Sequence, residues 1–232
     1  TENIPAEEEK TIYHLSAAAK AEEYRKEKSE VIHSTRKIDL AENQEVLREI
    51  FEKQDIEVTE DERIDVCNPS NEFELDGETY MAGRAEPRSS EFDSLTIFFK
   101  KEGDHWKLLP GPIFKLQDPS IAKIGDELVL CGVKLKLGTN ALMKLFGINK
   151  KVLHSYKTVF YKGRNLEDLK EFTEGPDDMK DVRLVELDDH RIGVYTRPQG
   201  LKKGGPGQIG FTIIDKLSDL NAEVIKNAPL LN

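Results

Sequence analysis

Three stretches of this chain share one order of features, and this internal repeat limits the possible folds more than any other property of the sequence. The stretches are DVCNPSNEFELDGETYMAGRAE, KLQDPSIAKIGDELVLCGVKL and MKDVRLVELDDHRIGVYTRPQ. Each opens with polar residues, continues into an apolar strand, turns at Asp or Gly, and ends in a second strand. Pro69 and Pro119, at matching places in the first two stretches, are 50 residues apart, and the third opening follows about 60 residues later. A strand-rich repeat of this length is typical of β-propeller blades.

The turns inside the repeats support strand pairing between neighbours in sequence. Asp76-Gly77 separates two short apolar runs, and this dipeptide tolerates the positive φ of a tight hairpin. Residues 95–99 and 157–161 supply apolar segments for the outer strands of the blades. The alternative is a twisted antiparallel sandwich whose hairpins resemble one another by chance. We predict a β-propeller, because the repeats agree in the order of their features and not only in composition.

The N-terminal part of the chain has a different character. Residues 1–65 carry 19 acidic and 10 basic side chains, which is −9 of the total net charge of −10. Residues 7–37 lack Gly and Pro and favour helix. A second helix, with Asp39 as its N-cap, is indicated by apolar residues at helical spacing: Val46, Leu47, Ile50 and Phe51. We therefore divide the chain into an acidic helical N-terminal segment, residues 1–56, and a partial β-propeller domain, residues 57–232. An acidic segment of this kind is usually solvated surface and sometimes docks a partner.

Composition and charge exclude several classes of function. An acidic chain lacks the basic stripe that nucleic-acid binding requires, so we expect no nucleic-acid partner. No run approaches 18 apolar residues and no apolar leader is present, so we expect no membrane partner and a cytoplasmic location. The five His form no metal-binding pattern with each other or with Cys, which predicts no metal site. Cys67 and Cys131 lie in strand-like segments, where free thiols are expected and a single disulfide is the alternative.

The repeats also resemble known families. LQDPSIAKIGDELVLCGV is similar to the "EDPR…G.yYltY" segment of glycoside hydrolase family 130, the mannoside phosphorylases and mannosidases, and KDVRLVELDDHRIGVYTRP is similar to its "KNAVLFPE…G.y…HRP" segment. These segments are more similar still to those of an uncharacterised bacterial family, domain of unknown function 1861, which carries "LQDPf" and "RLVEL.DGRIGVFTRPQG". The resemblance covers about residues 62–230. It implies a five-bladed β-propeller with a sugar pocket at the axis, where the first strands of the blades converge.

The resemblance assigns roles to several side chains. Asp118 matches the catalytic general acid, which protonates the leaving oxygen directly or through a hydroxyl of the sugar. Asp65 has no such match, but it opens the first repeat with Asn68 and should project to the same axis, which makes it the candidate second carboxylate, as base or as a holder of sugar hydroxyls. The expected substrate-binding residues are Asn68, Arg84, Glu86, Lys180, Asp181 and Arg197. Each has a simpler interpretation, because Asp and Asn before Pro form turns and paired charges at strand ends form surface ion pairs.

The expected function is that of a carbohydrate-active propeller, glycosidase- or phosphorylase-like, acting on a β-mannoside or related oligosaccharide. The alternatives are a non-catalytic sugar-binding propeller and a protein-interaction propeller. No cofactor is expected, and inorganic phosphate is only a candidate co-substrate. Gln117 and Ser120 stand where the family has Glu and Arg, and the loss of the Arg argues against phosphorolysis. Five blades need roughly 250–300 residues, so we expect about three to four blades and a fragment of a longer protein.

Overall fold

The computed structural model describes residues 43–139, 151–199 and 207–231, and this described part consists mainly of antiparallel strands. Its helices are α1 (Gln44–Lys53) and α2 (Ala222–Lys226), and short 3₁₀ turns cover Glu91–Asp93 and Leu217–Asp219. The strands, in chain order, are β1 (Ile64–Cys67), β2 (Phe73–Leu75), β3 (Glu78–Pro87), β4 (Leu95–Glu102), β5 (His105–Leu108), β6 (Gln117–Ile124), β7 (Glu127–Thr139), β8 (Lys151–Gly163), β9 (Lys170–Glu174), β10 (Arg183–Glu186), β11 (Ile192–Thr196) and β12 (Gly210–Ile214).

The strands form three antiparallel sheets, each made of strands that follow one another in sequence. The first sheet has the order β1-β3-β4-β5, with β2 also paired to β3; the second is β6-β7-β8-β9; the third is β10-β11-β12. The Asp76-Gly77 turn has φ values of 52° and 77°, as a tight hairpin requires. Three consecutive up-and-down sheets are the arrangement of propeller blades and not of two facing sheets. The predicted all-β body of propeller type is therefore confirmed.

The sheets are held side by side by hydrophobic cores. One cluster lies between the first and second sheets and includes Phe98, Leu130 and Val159. A second cluster lies between the second and third sheets and includes Phe160 and Val194. Because both faces of the second sheet are covered, residues 128–133 of β7 are all buried and form a continuous run without a charged residue. β6 contacts both β3 and β10, so the first strand of the second sheet lies between its two neighbours.

The outer faces of the first and third sheets differ. α1 covers the outer face of the first sheet with Leu47, Ile50 and Phe51, which pack in one cluster with residues of β1, β3, β4 and β5. The predicted second helix is thus present, although Val46 is exposed. On the third sheet, Val185 and Tyr195 point away from the core and are 40% and 42% exposed.

The hairpin of β7 and β8 is longer than the strands beside it. Gln117, at the start of β6, pairs with Val133, and β7 continues to Thr139 beyond that point. The extra length pairs only with β8. We call this extension, residues 134–139 with residues 151–157, the arm. Since it continues past the start of β6, it projects at the end of the sheet where β6 begins.

Some predictions fall outside the described residues. The first predicted helix lies there, and the division of the chain at residue 57 stays a prediction. Asp39 also lies there, and the prediction that it caps the second helix is wrong, because the helix begins at Gln44 and its N-cap is Asn43. Cys67 and Cys131 are both free thiols. Within the described ranges, no helix has the length and apolar character needed to cross a membrane.

Candidate functional site

The first strand of the second sheet is interrupted by a bulge at Asp118. Gln117 pairs with Val133 and Ser120 pairs with Cys131, so three steps along β6 oppose two steps along β7. The extra residue is accommodated at Asp118, whose φ is +49°. Asp is one of the few residues besides Gly that adopts this left-handed conformation readily. A bulge re-aims the side chain at which it occurs, and bulges are frequent next to active sites.

The first sheet has the same interruption. Cys67 pairs with Arg84, and the Ser70 N–H donates to the Ala82 carbonyl, so three steps again oppose two. The residue after Cys67 is Asn68, with a φ of +45°. Asn68 in the first sheet therefore corresponds to Asp118 in the second, 50 residues later.

The third sheet has a bulge of the same kind. Met179 bridges to Pro198 and Arg183 pairs with Tyr195, so four steps oppose three. The left-handed residue between them is Asp181, with a φ of +61°. All three sheets thus place one polar residue at an equivalent bulge: Asn68 directly after β1, Asp118 in β6 and Asp181 just before β10.

These bulges bring side chains from all three sheets together around the carboxylate of Asp118. Asn68 Nδ2 donates to Asp118 Oδ1 at 2.5 Å, and Arg84 Nη1 donates to the same oxygen at 3.1 Å. Lys180 Nζ lies 3.8 Å from Oδ2. Arg183 Nη1 donates to the backbone carbonyl of Asp118 at 3.2 Å. We call Asn68, Arg84, Asp118 and Lys180 the central cluster.

The central cluster keeps Asp118 ionised. Burial alone would raise the pKa of the Asp118 carboxyl, since the charged form loses hydration. The charge of Arg84, the hydrogen bonds from Asn68 and Arg84, and the charge of Lys180 act in the opposite direction and outweigh burial. The pKa of Asp118 therefore lies below its ordinary value, and at neutral pH the side chain is a buried carboxylate that accepts hydrogen bonds.

Arg84 serves two carboxylates at once. Its Nη1 binds Asp118, and its Nη2 forms an ion pair with Glu86 Oε2 at 2.5 Å. Its Nε donates to Ser94 Oγ at 3.0 Å. Burial would lower the pKa of Arg84, but the negative charges of Glu86 and Asp118 raise it above its ordinary value. A single buried guanidinium thus holds Glu86 and Asp118 close together.

Behind Arg84 lies a layer of hydrogen bonds that the sequence analysis did not include in the site. Gln117 Nε2 donates to the Glu91 carbonyl at 2.5 Å and lies 3.3 Å from Ser94 Oγ. The Ser94 hydroxyl is 3.0 Å from Glu86 Oε2. Gln117 and Ser94 are both buried; Gln117 holds Ser94, and Ser94 in turn orients Arg84. For Ser94 no sequence signal was available, because it belongs to a loop outside the repeats.

Asp65 stands in a different group of charges. Arg88 donates to both of its carboxylate oxygens, at 2.7 and 3.2 Å, and Arg63 Nε lies 3.4 Å from one of them. Asp65 pairs across the strands with Glu86, so both project on the same face of the first sheet. The guanidinium of Arg84, which binds Asp118, therefore also binds Glu86 and not Asp65.

Asp181 and Arg197 form a second polar group beside the first. Arg197 Nη1 donates to Asp181 Oδ2 at 2.5 Å. Tyr156 of the arm reaches the same sheet, because its hydroxyl donates to Gln199 Oε1 at 3.0 Å. Burial and the charge of Asp178 raise the pKa of Tyr156, so it is a neutral phenol at physiological pH. Since Asp181 follows Lys180 directly, the two groups are neighbours.

The site contains one carboxylate, Asp118, which is held in place by hydrogen-bond donors. The partly exposed cations Lys180 and Arg197 lie around it. Such an arrangement can accept hydrogen bonds from hydroxyl groups and bind an anion next to them. Among the described residues, no group of three or more His, Cys, Asp or Glu could hold a metal ion.

Comparison with known proteins supports a carbohydrate-related fold. Residues 42–232 match the family described as "Protein of unknown function (DUF1861)". No curated protein matches the chain. Among solved structures, MPT-4, a mannose phosphorylase from Leishmania mexicana in complex with a phosphate ion, is 35% identical with a TM-score of 0.61. The match covers 73% of this chain and 49% of that one.

Two further solved structures are similar to the chain at about the same identity, TM-score and coverage. MPT-1, a GDP-Man-dependent mannosyltransferase from Leishmania mexicana, is 33% identical, with a TM-score of 0.60 and coverage of 73% and 49%. A hypothetical protein from Leishmania major is 34% identical, with a TM-score of 0.59 and coverage of 73% and 50%. The chain therefore spans about half the length of these solved relatives.

Proposed function

We propose, since this chain belongs to the DUF1861 family, that it carries the sugar site of a carbohydrate-active propeller enzyme, glycosidase- or phosphorylase-like, for a β-mannoside or related oligosaccharide. The observation that carries the proposal is the largely buried carboxylate of Asp118 in the second sheet, held by Asn68 and Arg84 of the first sheet and by Lys180 just before the third. Two of the proteins with similar structures are a mannose phosphorylase and a GDP-Man-dependent mannosyltransferase, which supports the choice of sugar.

In this proposal Asp118 is ionised in the unliganded chain and becomes protonated when the ligand binds. A carboxylate with two donors on Oδ1 and a cation 3.8 Å from Oδ2 can still accept a hydrogen bond from a sugar hydroxyl at Oδ2. Cleavage requires that the bond between the anomeric carbon and the leaving oxygen breaks while that oxygen gains a proton. When the ligand displaces Lys180, the carboxyl pKa rises and Asp118 takes up a proton from solvent. Asp118 then passes this proton through the bound hydroxyl to the leaving oxygen, while water or phosphate forms the new bond to the anomeric carbon and any proton that the nucleophile loses goes to solvent. Glu86 is the second carboxylate that we assign beside it.

The cations of the third sheet support an anionic co-substrate. Lys180 and Arg197 are partly exposed, and Arg183 binds the backbone carbonyl of Asp118. Arg183 thus brings a guanidinium to the strand on which Ser120 replaces the arginine of the resembled family. Inorganic phosphate remains a candidate nucleophile in place of water, and Lys and Arg are suited to bind it.

A second candidate function is sugar binding without catalysis. Gln117 occupies the place of the family's Glu, and its amide is used in buried hydrogen bonds to the Glu91 carbonyl and Ser94. A buried amide with these partners orients other groups and transfers no proton. This observation favours a binding protein if no turnover is found.

The test measures binding and turnover of a small mannoside panel by the full chain. Methyl β-mannoside and β-1,4-mannobiose are titrated by calorimetry, and 4-nitrophenyl β-mannoside is assayed with and without phosphate. We expect Asp118→Asn to weaken binding at least tenfold and to abolish turnover, because the amide removes the charge that Arg84 and Lys180 surround.

The matched control is Asp76→Asn in the β2–β3 turn, which has the same positive φ and lies outside the site. It should leave binding intact. Turnover that needs phosphate identifies a phosphorylase, turnover without phosphate a glycosidase, and binding without turnover the second candidate. If no sugar binds, or if Asp118→Asn binds as well as the unaltered chain, the proposal is wrong.

A further inference from the structure

The segment between β9 and β10 carries Lys180 to the site, and β8 holds this segment from one side. The Asp178 N–H donates to the Tyr156 carbonyl at 2.7 Å. The Thr158 N–H donates to the Met179 carbonyl at 3.1 Å. The segment is thus fixed to β8 directly before Lys180, and the direction of the Lys180 side chain depends on these contacts.

Thr158 also holds the segment on the far side of Lys180, through its hydroxyl. The Val182 N–H donates to Thr158 Oγ1 at 3.4 Å. The contacts at Met179 and Val182 flank a gap of two residues, Lys180 and Asp181. Asp181 has a left-handed backbone, with a φ of +61°, so the chain turns sharply within the gap. One residue of β8 therefore fixes both ends of the turn that presents Lys180.

The Thr158 hydroxyl lies in an apolar environment. Thr158 is 1% exposed, and its partners Met179 and Val182 belong to the hydrophobic cluster between the second and third sheets. A buried hydroxyl costs free energy unless it is hydrogen-bonded, whereas valine has the same shape and no such cost. Packing alone would be served by valine, so what the hydroxyl adds at this position is its bond to Val182.

We propose that Thr158 is a positioning residue of the sugar site, because its hydroxyl fixes the turn that holds Lys180 against Asp118 Oδ2. The inference rests on the proposed function, in which a sugar hydroxyl takes the place of Lys180 at this oxygen. It deepens that function by naming the residue that controls how readily Lys180 gives way to the ligand. Thr158 itself acts only through Lys180, whose Nζ lies 3.8 Å from the carboxylate.

The first test follows the Asp118 carboxyl of the full chain by carbon-13 NMR across pH, with no sugar present. Burial raises the pKa of this carboxyl, and the charges of Arg84 and Lys180 lower it, while Arg183 binds the backbone carbonyl of the same residue. Lys180→Met should therefore raise the midpoint of the titration. Thr158→Val should raise it too, but should add nothing when combined with Lys180→Met, because both changes remove the same contact.

Two further variants of the same residue complete this test. Thr158→Ser keeps the hydroxyl, so its midpoint should equal that of the unaltered chain. Thr158→Ala removes the hydroxyl as Thr158→Val does, and it takes the place of that variant if Thr158→Val does not fold.

The second test measures the affinity for methyl β-mannoside by calorimetry. Thr158→Val should change the affinity about two- to tenfold, the size of one hydrogen bond, in the same direction as Lys180→Met. The double variant should match Lys180→Met alone. Thr96→Val is the matched control, because Thr96 is equally buried and its hydroxyl donates to the Leu116 carbonyl at 3.1 Å, outside the segment that carries Lys180. Any effect of Thr96→Val should add to that of Lys180→Met.

The outcomes separate this inference from the proposed function. An unchanged midpoint in Thr158→Val overturns the inference, and so do effects of Thr158→Val and Lys180→Met that simply add. The proposed function then still stands if the mannoside binds and the binding depends on Asp118. If the unaltered chain binds no mannoside, the proposed function fails, whereas the midpoint still decides whether Thr158 positions Lys180.

Discussion

Arg84→Met is the substitution that most directly tests the central cluster. The Arg84 side chain is 9% exposed and binds both Asp118 and Glu86, whose side chains are 12% and 17% exposed. Met has a similar volume but no charge, so two buried carboxylates lose their shared cation. Removing one partner of a buried ion pair costs about 3–5 kcal/mol. We expect a loss of that size in the free energy of unfolding at pH 7.

The measurement is urea-induced unfolding, followed by the fluorescence of Trp106, which is buried in the core of the first sheet. Arg88→Met is the control. Arg88 also pairs with a carboxylate, Asp65, but its side chain is 56% exposed. An exposed pair contributes about 0–1 kcal/mol, so this variant should unfold close to the unaltered chain.

The pH dependence gives the reasoning a second check. In the unaltered chain the pKa of Asp118 lies below its ordinary value of 3.8, so its contribution is present above that value and lost as pH falls through the lower, folded-state pKa. Without Arg84, burial dominates and the pKa rises above the ordinary value. The deficit of Arg84→Met should therefore be largest at pH 7 and shrink towards pH 4. A loss below about 1 kcal/mol, or an equal loss at both pH values, would refute this account.

Three further outcomes can be measured. Asn68→Asp places a second carboxylate against Asp118 Oδ1, so it should destabilise the chain by about 1–3 kcal/mol at pH 7 and less at pH 4, which urea titration at both pH values would show. Phe51→Ala should cost about 3–5 kcal/mol by urea titration, because Phe51 is fully buried between α1 and the first sheet; a smaller loss would mean that α1 packs loosely. Burial raises the pKa of the Cys131 thiol to about 12, so iodoacetamide should modify it only after unfolding, as mass spectrometry would detect; modification of the native chain would contradict its burial.

Much of the fold could be predicted from the sequence because the signals are local. Alternating apolar residues, Asp-Gly turns and a repeat near 50 residues specify hairpins, and consecutive hairpins form blades. The second helix was predicted because Leu47, Ile50 and Phe51 share a face. The length of the arm was not, since strand pairing beyond Val133 depends on β8 and not on β7 alone.

The site was only partly accessible to sequence reasoning. Asn68, Asp118 and Lys180 could be grouped because they open successive repeats, and the structure brings these three together. Asp65 was grouped with them on the same basis but pairs with Arg88. Its side chain lies three positions before the bulge, and the pattern does not show which ion pair a charged residue selects.

The sequence by itself determined the strand pattern, the turns and the repeated polar residue at the start of each blade, because these depend on neighbours along the chain. Tertiary structure alone decided which charges meet. Arg84, Asp118 and Lys180 come from three sheets, and their contacts follow from the packing of β6 between β3 and β10. The pKa of Asp118 has the same origin, because burial and the opposing cations act over a few ångströms in space and not along the chain.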